Sequence, residues 1–307
     1  MLNFREIQLS DKTWIDECLK VSDFRGCEYS FANNLAWRRL SDTVICHHNG
    51  FYISCSFDEN RKPVFTFPAG AKCDDYGIEK YKLLFEELKE YAKSIHSELK
   101  ISSVNSEHLR WMQEFYKDEI TVCANRDSFD YIYKAENLIE LKGKKYHGKR
   151  NHIKRFKDNS WSFEIMTSDC FDECTAFAAE FYNDNKSYDD YSSVVEQFVI
   201  HTFFTNFEYL GLKGGVLRKD GEMVGFTIGE QLNSDTFVVH IEKAKSEIQG
   251  AYPTICNEFL KTFASGLEYV NREEDLGIEG LRKSKLSYYP EFLLEKNTVT
   301  FKEAERK

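Results

Sequence analysis

Prolines are scarce in this chain, with four in 307 residues. Long extended linkers are therefore not expected, and the length suggests about two domains, each with its own core. Long apolar runs are missing too. No stretch approaches the ~18 residues of a membrane span, and the opening MLNFREIQLSDKTW is charged where a secretory leader needs an apolar run. Cysteine pairing signals are absent. The nine cysteines include no C-x-x-C pair, and Cys170 and Cys174, the close pair, stand at helical spacing. All nine read as reduced thiols of a cytoplasmic protein. A metal site is not expected either, because Cys46-His47-His48 on a strand points its two histidines to opposite faces. Excess positive charge is also lacking. The net charge of −10 argues against nucleic-acid binding by the whole surface.

What is present is 42% hydrophobic and 15% aromatic, the composition of a globular protein. The charge is unevenly spread. Residues 142–157 hold eight Lys or Arg and no Asp or Glu, which leaves 33 basic against 51 acidic residues elsewhere. On a helix, Tyr146, Ile153 and Phe156 fall on one side of this segment and Lys145, Lys149, His152 and Lys154 mostly elsewhere, so it reads as an amphipathic entry helix. Lys145, Lys149, Arg150 and Lys154 are its candidate contacts to tRNA phosphates or an anionic lipid surface. The alternative is a linker helix docked on the acidic body of its own chain.

The periodicities give the same element order twice. In the first half, strands are expected over 4–9, 43–48, 51–57, 64–67, 99–104, 120–124 and 131–133. Helices fall over 11–21, 28–40 and 106–116, with a long one carrying Ile78, Tyr81, Leu84, Phe85, Leu88, Ala92 and Ile95. Asn49-Gly50 marks a tight hairpin, since such a turn needs positive φ. The second half offers strands over 161–166, 215–218, 223–229, 236–243, 267–272 and 292–296, with a turn at Asp220-Gly221. Its helices fall over 169–182, 194–207, 254–265 and 278–285. Both halves read β-α-α-β-β-β-α-β-α-β without visible sequence repetition. The expected fold class is α/β (α+β) with two tandem domains, 1–140 and 141–307, and mixed sheets.

Polar groups gather at the ends of the later elements. His240 and Glu242 alternate with Val239 and Ile241 and so share a strand face. Gly250 and Tyr252 open a helix whose free N–H groups suit an anion. Asn271, Arg272, Glu273 and Asp275 end a strand, and Asn271, Glu273 and Asp275 share a face if extension continues. Arg282, Lys285 and Tyr288 follow. Such a collection fits either a salt-bridge network or a site for an acyl donor and an amine.

The element order is that of the GNAT acyltransferase fold, and two copies in one chain resemble the Fem-type aminoacyltransferases. The stretches LKGKKYHGKRNH (141–152), NREEDLG (271–277) and GLRKSKLSY (280–288) look like a soluble branch related to the C-terminal domain of phosphatidylglycerol lysyltransferases. The resemblance implies a catalytic second half in which the strands over 236–243 and 267–272 splay apart around donor and acceptor, and a non-catalytic first half. The stretch Glu247-Ile248-Gln249-Gly250-Ala251-Tyr252 departs from the acyl-CoA loop pattern, with an acidic residue first and a bulky one last. Both weaken pyrophosphate binding, so acyl-CoA is disfavoured. The resemblance points to aminoacyl-tRNA as donor, no bound cofactor, and an unidentified amine or hydroxyl acceptor. Direct attack needs a base, an oxyanion partner and a proton for the leaving group. Glu242 or His240 is the candidate base, Arg282 or Lys285 the candidate partner of negative charge, and Tyr288 the candidate donor. Asn271, Glu273 and Asp275 are candidates for the α-ammonium. A non-catalytic module recognising an anionic partner is the competing reading.

Overall fold

The structure is a computed structural model and describes residues 2–40, 42–184 and 190–302. The first half runs β1 (Arg5–Glu6), α1 (Lys12–Ser22), α2 (Phe31–Trp37), β2 (Val44–His48), β3 (Phe51–Phe57), β4 (Pro63–Thr66), α3 (Asp75–Ser94), β5 (Lys100–Val104), α4 (Ser106–Tyr116) and β6 (Ile120–Ala124). Then come β7 (Asp130–Lys134), α5 (Ala135–Glu140) and α6 (His147–Lys157). The second half runs β8 (Trp161–Ile165), α7 (Phe171–Asp184), α8 (Asp190–Thr205), α9 (Phe207–Leu210), β9 (Lys213–Lys219), β10 (Glu222–Gln231), β11 (Thr236–Ala244), α10 (Ala251–Phe263), β12 (Tyr269–Asn271), α11 (Glu279–Leu286), β13 (Phe292–Leu294) and β14 (Asn297–Phe301).

The expected element order is present, and the two sheets repeat one plan. The first is ordered β1-β2-β3-β4-β5-β14-β6 and the second β8-β9-β10-β11-β12-β7-β13, seven strands each. The sequence reading differs in the last places. It placed one boundary after residue 140 and had no strand over 297–301. The compact units instead interleave along the chain: Met1–Asp130 with Glu274–Ile278 and Leu293–Lys307, and Tyr131–Glu273 with Glu279–Phe292. β7 thus belongs with the second unit and β14 with the first. Strand pairing is non-local, and short segments such as NTVTF carry no signal of which sheet will take them.

In the first unit α3 explains the core. Asp74 caps it by accepting a hydrogen bond from the Gly77 N–H at 2.8 Å. Tyr81, Leu84, Phe85, Leu88 and Ala92 are buried in the expected stripe, while Ile95 at its end is exposed. That stripe packs on Phe51, Ile53, Phe65 and Ile101 of the sheet and on Val299 of β14. The hairpin turns follow their residues: Asn49 and Gly50 have φ 51° and 80°, and Asp220 and Gly221 have φ 52° and 89°.

In the second unit Phe156 of α6 and Ala251 and Ile255 of α10 close over Leu217, Val224 and Ala244. β11 pairs in parallel with β12 through Thr236, Phe237 and Val238 alone. Beyond Val238 it keeps β10 on one side and has no strand on the other among the described residues. This is where the strands part, and both candidate side chains of β11 lie on that stretch.

Candidate functional site

The register between β10 and β11 shifts at Ile228/Gly229. Ile228 opposes Ile241 and Gly229 opposes Val239, so His240 is the extra residue of a bulge. Unbroken alternation would put His240 and Glu242 on one face, as the sequence suggested. The bulge reverses the phase. His240 turns toward Phe203 of α8, with 5.6 Å between ring centroids, and Glu242 turns toward Arg272 and Cys256. The two do not act on one group.

His240 is also held too firmly to serve as a base. Its Nδ1 lies 2.9 Å from Glu273 Oε1 and its Nε2 3.0 Å from Glu230 Oε1. Burial pulls its pKa down, but the hydrogen bonds to the two carboxylates outweigh burial and raise it to about 9. At neutral pH it is an imidazolium that donates from both nitrogens and accepts from neither.

Glu242 has a different setting. Arg272 Nη2 donates to its Oε1 at 2.7 Å, and both side chains are only 10% exposed. Glu242 Oε2 and Arg272 Nη1 are buried and have no hydrogen-bond partner among the described residues. The guanidinium carbon lies 4.8 Å from the Tyr288 ring centroid and 6.0 Å from that of Tyr133. Burial opposes the Arg272 charge, yet Cys256 and Glu242 prevail and raise its pKa. Lys149 of α6 comes within 3.8 Å of the Tyr288 ring centroid and donates to Ser287 Oγ at 2.8 Å. Burial, helped by Arg272, lowers its pKa. Burial first and Cys256 second push Tyr288 well above the usual phenol range, so its hydroxyl keeps its proton. Burial likewise pushes the Cys256 thiol up to about 12. The arrangement offers one buried carboxylate oxygen and one buried guanidinium N–H, neither with a partner among the described residues.

The remaining candidates are dispersed. β12 stops at Asn271, whose Oδ1 accepts from the Glu273 N–H at 2.7 Å. Glu273 has φ 55°, so extension does not continue and the expected common face of Asn271, Glu273 and Asp275 does not form. Asp275 belongs to the first unit, where it meets Arg126 at 3.3 Å. Lys285 is buried and donates to the Arg272 carbonyl at 2.6 Å, which fixes the backbone carrying Arg272. Arg282 is half-buried on α11. Gly250, at φ +92°, is filled by protein where an anion was expected: a Cβ there would lie 2.4 Å from the His152 carbonyl oxygen. Tyr252 packs on the α6–α10 core.

The basic segment becomes a short 3-10 turn, Lys144–Tyr146, followed by α6. Much of its charge is used internally. Arg150 donates to the carbonyls of Leu141 and Gly143, Lys157 pairs with Glu258 at 2.7 Å, and Lys145 lies over the rings of Tyr146 and Tyr289. Lys144, Lys154 and Arg155 are exposed, with no partner among the described residues. The sequence reading missed Cys256, Tyr133 and Glu230, which look like ordinary core and strand residues until the bulge and the end of β12 bring them to the charged pairs.

A family model described as phosphatidylglycerol lysyltransferase, C-terminal, matches residues 19–299. An uncharacterized protein of Mycoplasmoides gallisepticum is 24% identical over 205 residues, which are 65% of this chain. The match spans 64% of that relative's length. The crystal structure of a conserved protein of unknown function from Bacteroides thetaiotaomicron superposes with a TM-score of 0.91 at 35% identity, covering 98% of this chain and 100% of the other. The C-terminal domain of a putative lysylphosphatidylglycerol synthetase from Agrobacterium fabrum gives 0.65 at 13% identity, covering 96% and 93%. A tandem GNAT protein from the clavulanic acid biosynthesis pathway gives 0.53 at 10% identity, covering 99% and 100%. The fold is the tandem GNAT arrangement expected from the element order.

Proposed function

Because this chain belongs to the phosphatidylglycerol lysyltransferase C-terminal family, we propose that it is an aminoacyltransferase using aminoacyl-tRNA as donor and an amine or hydroxyl as acceptor. The observation that carries the reading is the Glu242–Arg272 pair, with one oxygen and one N–H that have no partner among the described residues, at the point where β11 leaves β12.

The acceptor N–H or O–H attacks the ester carbonyl carbon directly. Glu242 Oε2 takes the proton as the new bond forms. Arg272 Nη1 donates to the oxyanion, where a fixed donor in a dry site is worth most. The ester C–O bond then breaks, and Glu242 returns the proton to the departing ribose oxygen. Tyr288 is too weak an acid to supply that proton itself and instead presents its ring to Arg272 and Lys149. His240 acts as a fixed cation that holds Glu230 and Glu273.

The test is transfer from a pool of aminoacyl-tRNAs labelled on the amino acid, with cell extract supplying acceptors. Label should reach a new acceptor with the native chain and not with Glu242→Gln, while retention of tRNA is unchanged. Full transfer by Glu242→Gln would remove Glu242 from the mechanism. The exposed Lys144, Lys154 and Arg155 favour one second reading, a binding module for an anionic partner. Salt-sensitive retention of tRNA without turnover would support it.

A further inference from the structure

The first unit contains a cavity of about 340 Å³ that the aminoacyl-transfer reading does not use. Four segments form it: the connection after α1, the loop before α3, the turn from β5 into α4, and the residues just before β14. Its size accommodates a small ligand such as an amino acid or a short diamine.

One wall is a buried charge cluster. Lys296 Nζ donates to Asp130 Oδ1 at 2.7 Å, meets Glu28 Oε2 at 2.8 Å and lies 3.4 Å from Cys27 Sγ. Asp130 is fully buried and also accepts from the Cys27 N–H at 2.8 Å. Glu274 Oε2 accepts from the Cys27 thiol at 3.3 Å. The positive charge of Lys296 is therefore spent within the wall. The rest of the lining adds Asp23, Asp74, Glu107 and Glu295, opposed by Arg25 and Lys72. Carboxylates thus outnumber cations in the lining, which favours a positive ligand. Phe24, set against Tyr29 with 4.6 Å between centroids, gives the lining an aromatic side, and aromatic faces attract cations.

We propose that this cavity binds a small organic cation, a primary amine or short diamine, between the Glu28–Lys296 wall, Glu107 and the ring of Phe24. The wall already holds one ammonium, that of Lys296, by the same contacts a ligand ammonium would seek. A divalent metal is the poorer occupant. Cys27, Asp130 and Glu274 bring ligand atoms within 4.8 Å of one another, but a metal there would have to displace the Lys296 ammonium from Asp130. An anion meets more carboxylates than cations in the lining.

The proposal stands independently of aminoacyl transfer, since every residue it uses lies in the first unit. It is tested by calorimetric titration of the full chain with 1,5-diaminopentane, using 1,5-pentanediol and glutarate as probes of equal length. The diamine should bind with a Kd of about 1 mM or tighter, weakened by salt, and neither control should bind. Glu107→Gln should weaken binding by about tenfold. Glu107 is exposed in the first turn of α4, so this variant should keep its fold. Lys72→Met, which removes a cation from the lining, should strengthen binding. Absence of diamine binding, glutarate binding as tight as the diamine, or a Glu107→Gln chain that binds the diamine unchanged would each overturn the proposal.

Discussion

Glu242 and Arg272 share one hydrogen bond, and each keeps a buried atom without a partner among the described residues. A buried polar atom left unsatisfied costs about 1–3 kcal/mol, so the pair is not optimised for stability. Removing one partner costs more, because it strands a buried charge. Arg272→Met should destabilise the second unit by about 3–5 kcal/mol, while Arg272→Met with Glu242→Gln should recover much of that loss. Urea unfolding of the two single variants and the double variant measures the coupling. Additive single effects would mean that the pair does not carry the charge balance of the site. The sequence named both residues but did not pair them with each other. Its alternation argument put Glu242 beside His240, since a bulge is a backbone event that side-chain letters do not announce. Arg272 was legible as a strand-end cation, but its partner depends on where β12 stops, and that is set by the left-handed Glu273.

The same division between visible charge and invisible partner governs α6. The run of cations and the apolar stripe of Tyr146, Ile153 and Phe156 were plain in the sequence, and all three are buried. Which cations remain free was not, because that depends on carbonyls and carboxylates far along the chain. Arg150 braces the backbone before α6, so Glu in its place would damage the element itself. Glu at Lys144, Lys154 and Arg155 together should leave stability nearly unchanged. It should also weaken retention of tRNA and lower the slope of log K against log salt by about 2–3. An unchanged slope would exclude this face from anion binding. The junction with α10 gives a second test. Gly250→Ala needs φ +92° and places a methyl group against the His152 carbonyl, so a loss of about 1–3 kcal/mol in thermal unfolding is expected. Wild-type stability would show that the two helices adjust there.

At the scale of the whole molecule, the repeated element order was readable because each element carries its own periodicity. The exchange of β7 and β14 was not, because no local pattern encodes a strand's partner. Each unit also carries a buried histidine with the opposite response to pH. His108, in the first unit, stacks on Phe67 at 4.1 Å and leaves Nε2 buried without a partner among the described residues. Burial alone pulls its pKa from 6.5 to about 3. The unfolded chain therefore binds a proton below pH 6.5 that the folded unit refuses, and stability falls by up to about 1.4 kcal/mol per pH unit between 6.5 and 3. His240, in the second unit, is raised from 6.5 to about 9 by Glu230 and Glu273 against the effect of burial. Its contribution, of order 3 kcal/mol, is complete below 6.5 and is lost as the pH rises through 9. Urea unfolding at acidic, neutral and alkaline pH, followed by hydrogen exchange in each unit, separates the two. His108→Phe should flatten the acid limb of the first unit and leave the alkaline limb of the second. His240→Gln should lower the stability of the second unit at neutral pH and flatten its alkaline limb. If His108→Phe leaves the acid limb as steep as before, carboxylates and not this histidine set the acid sensitivity of the first unit.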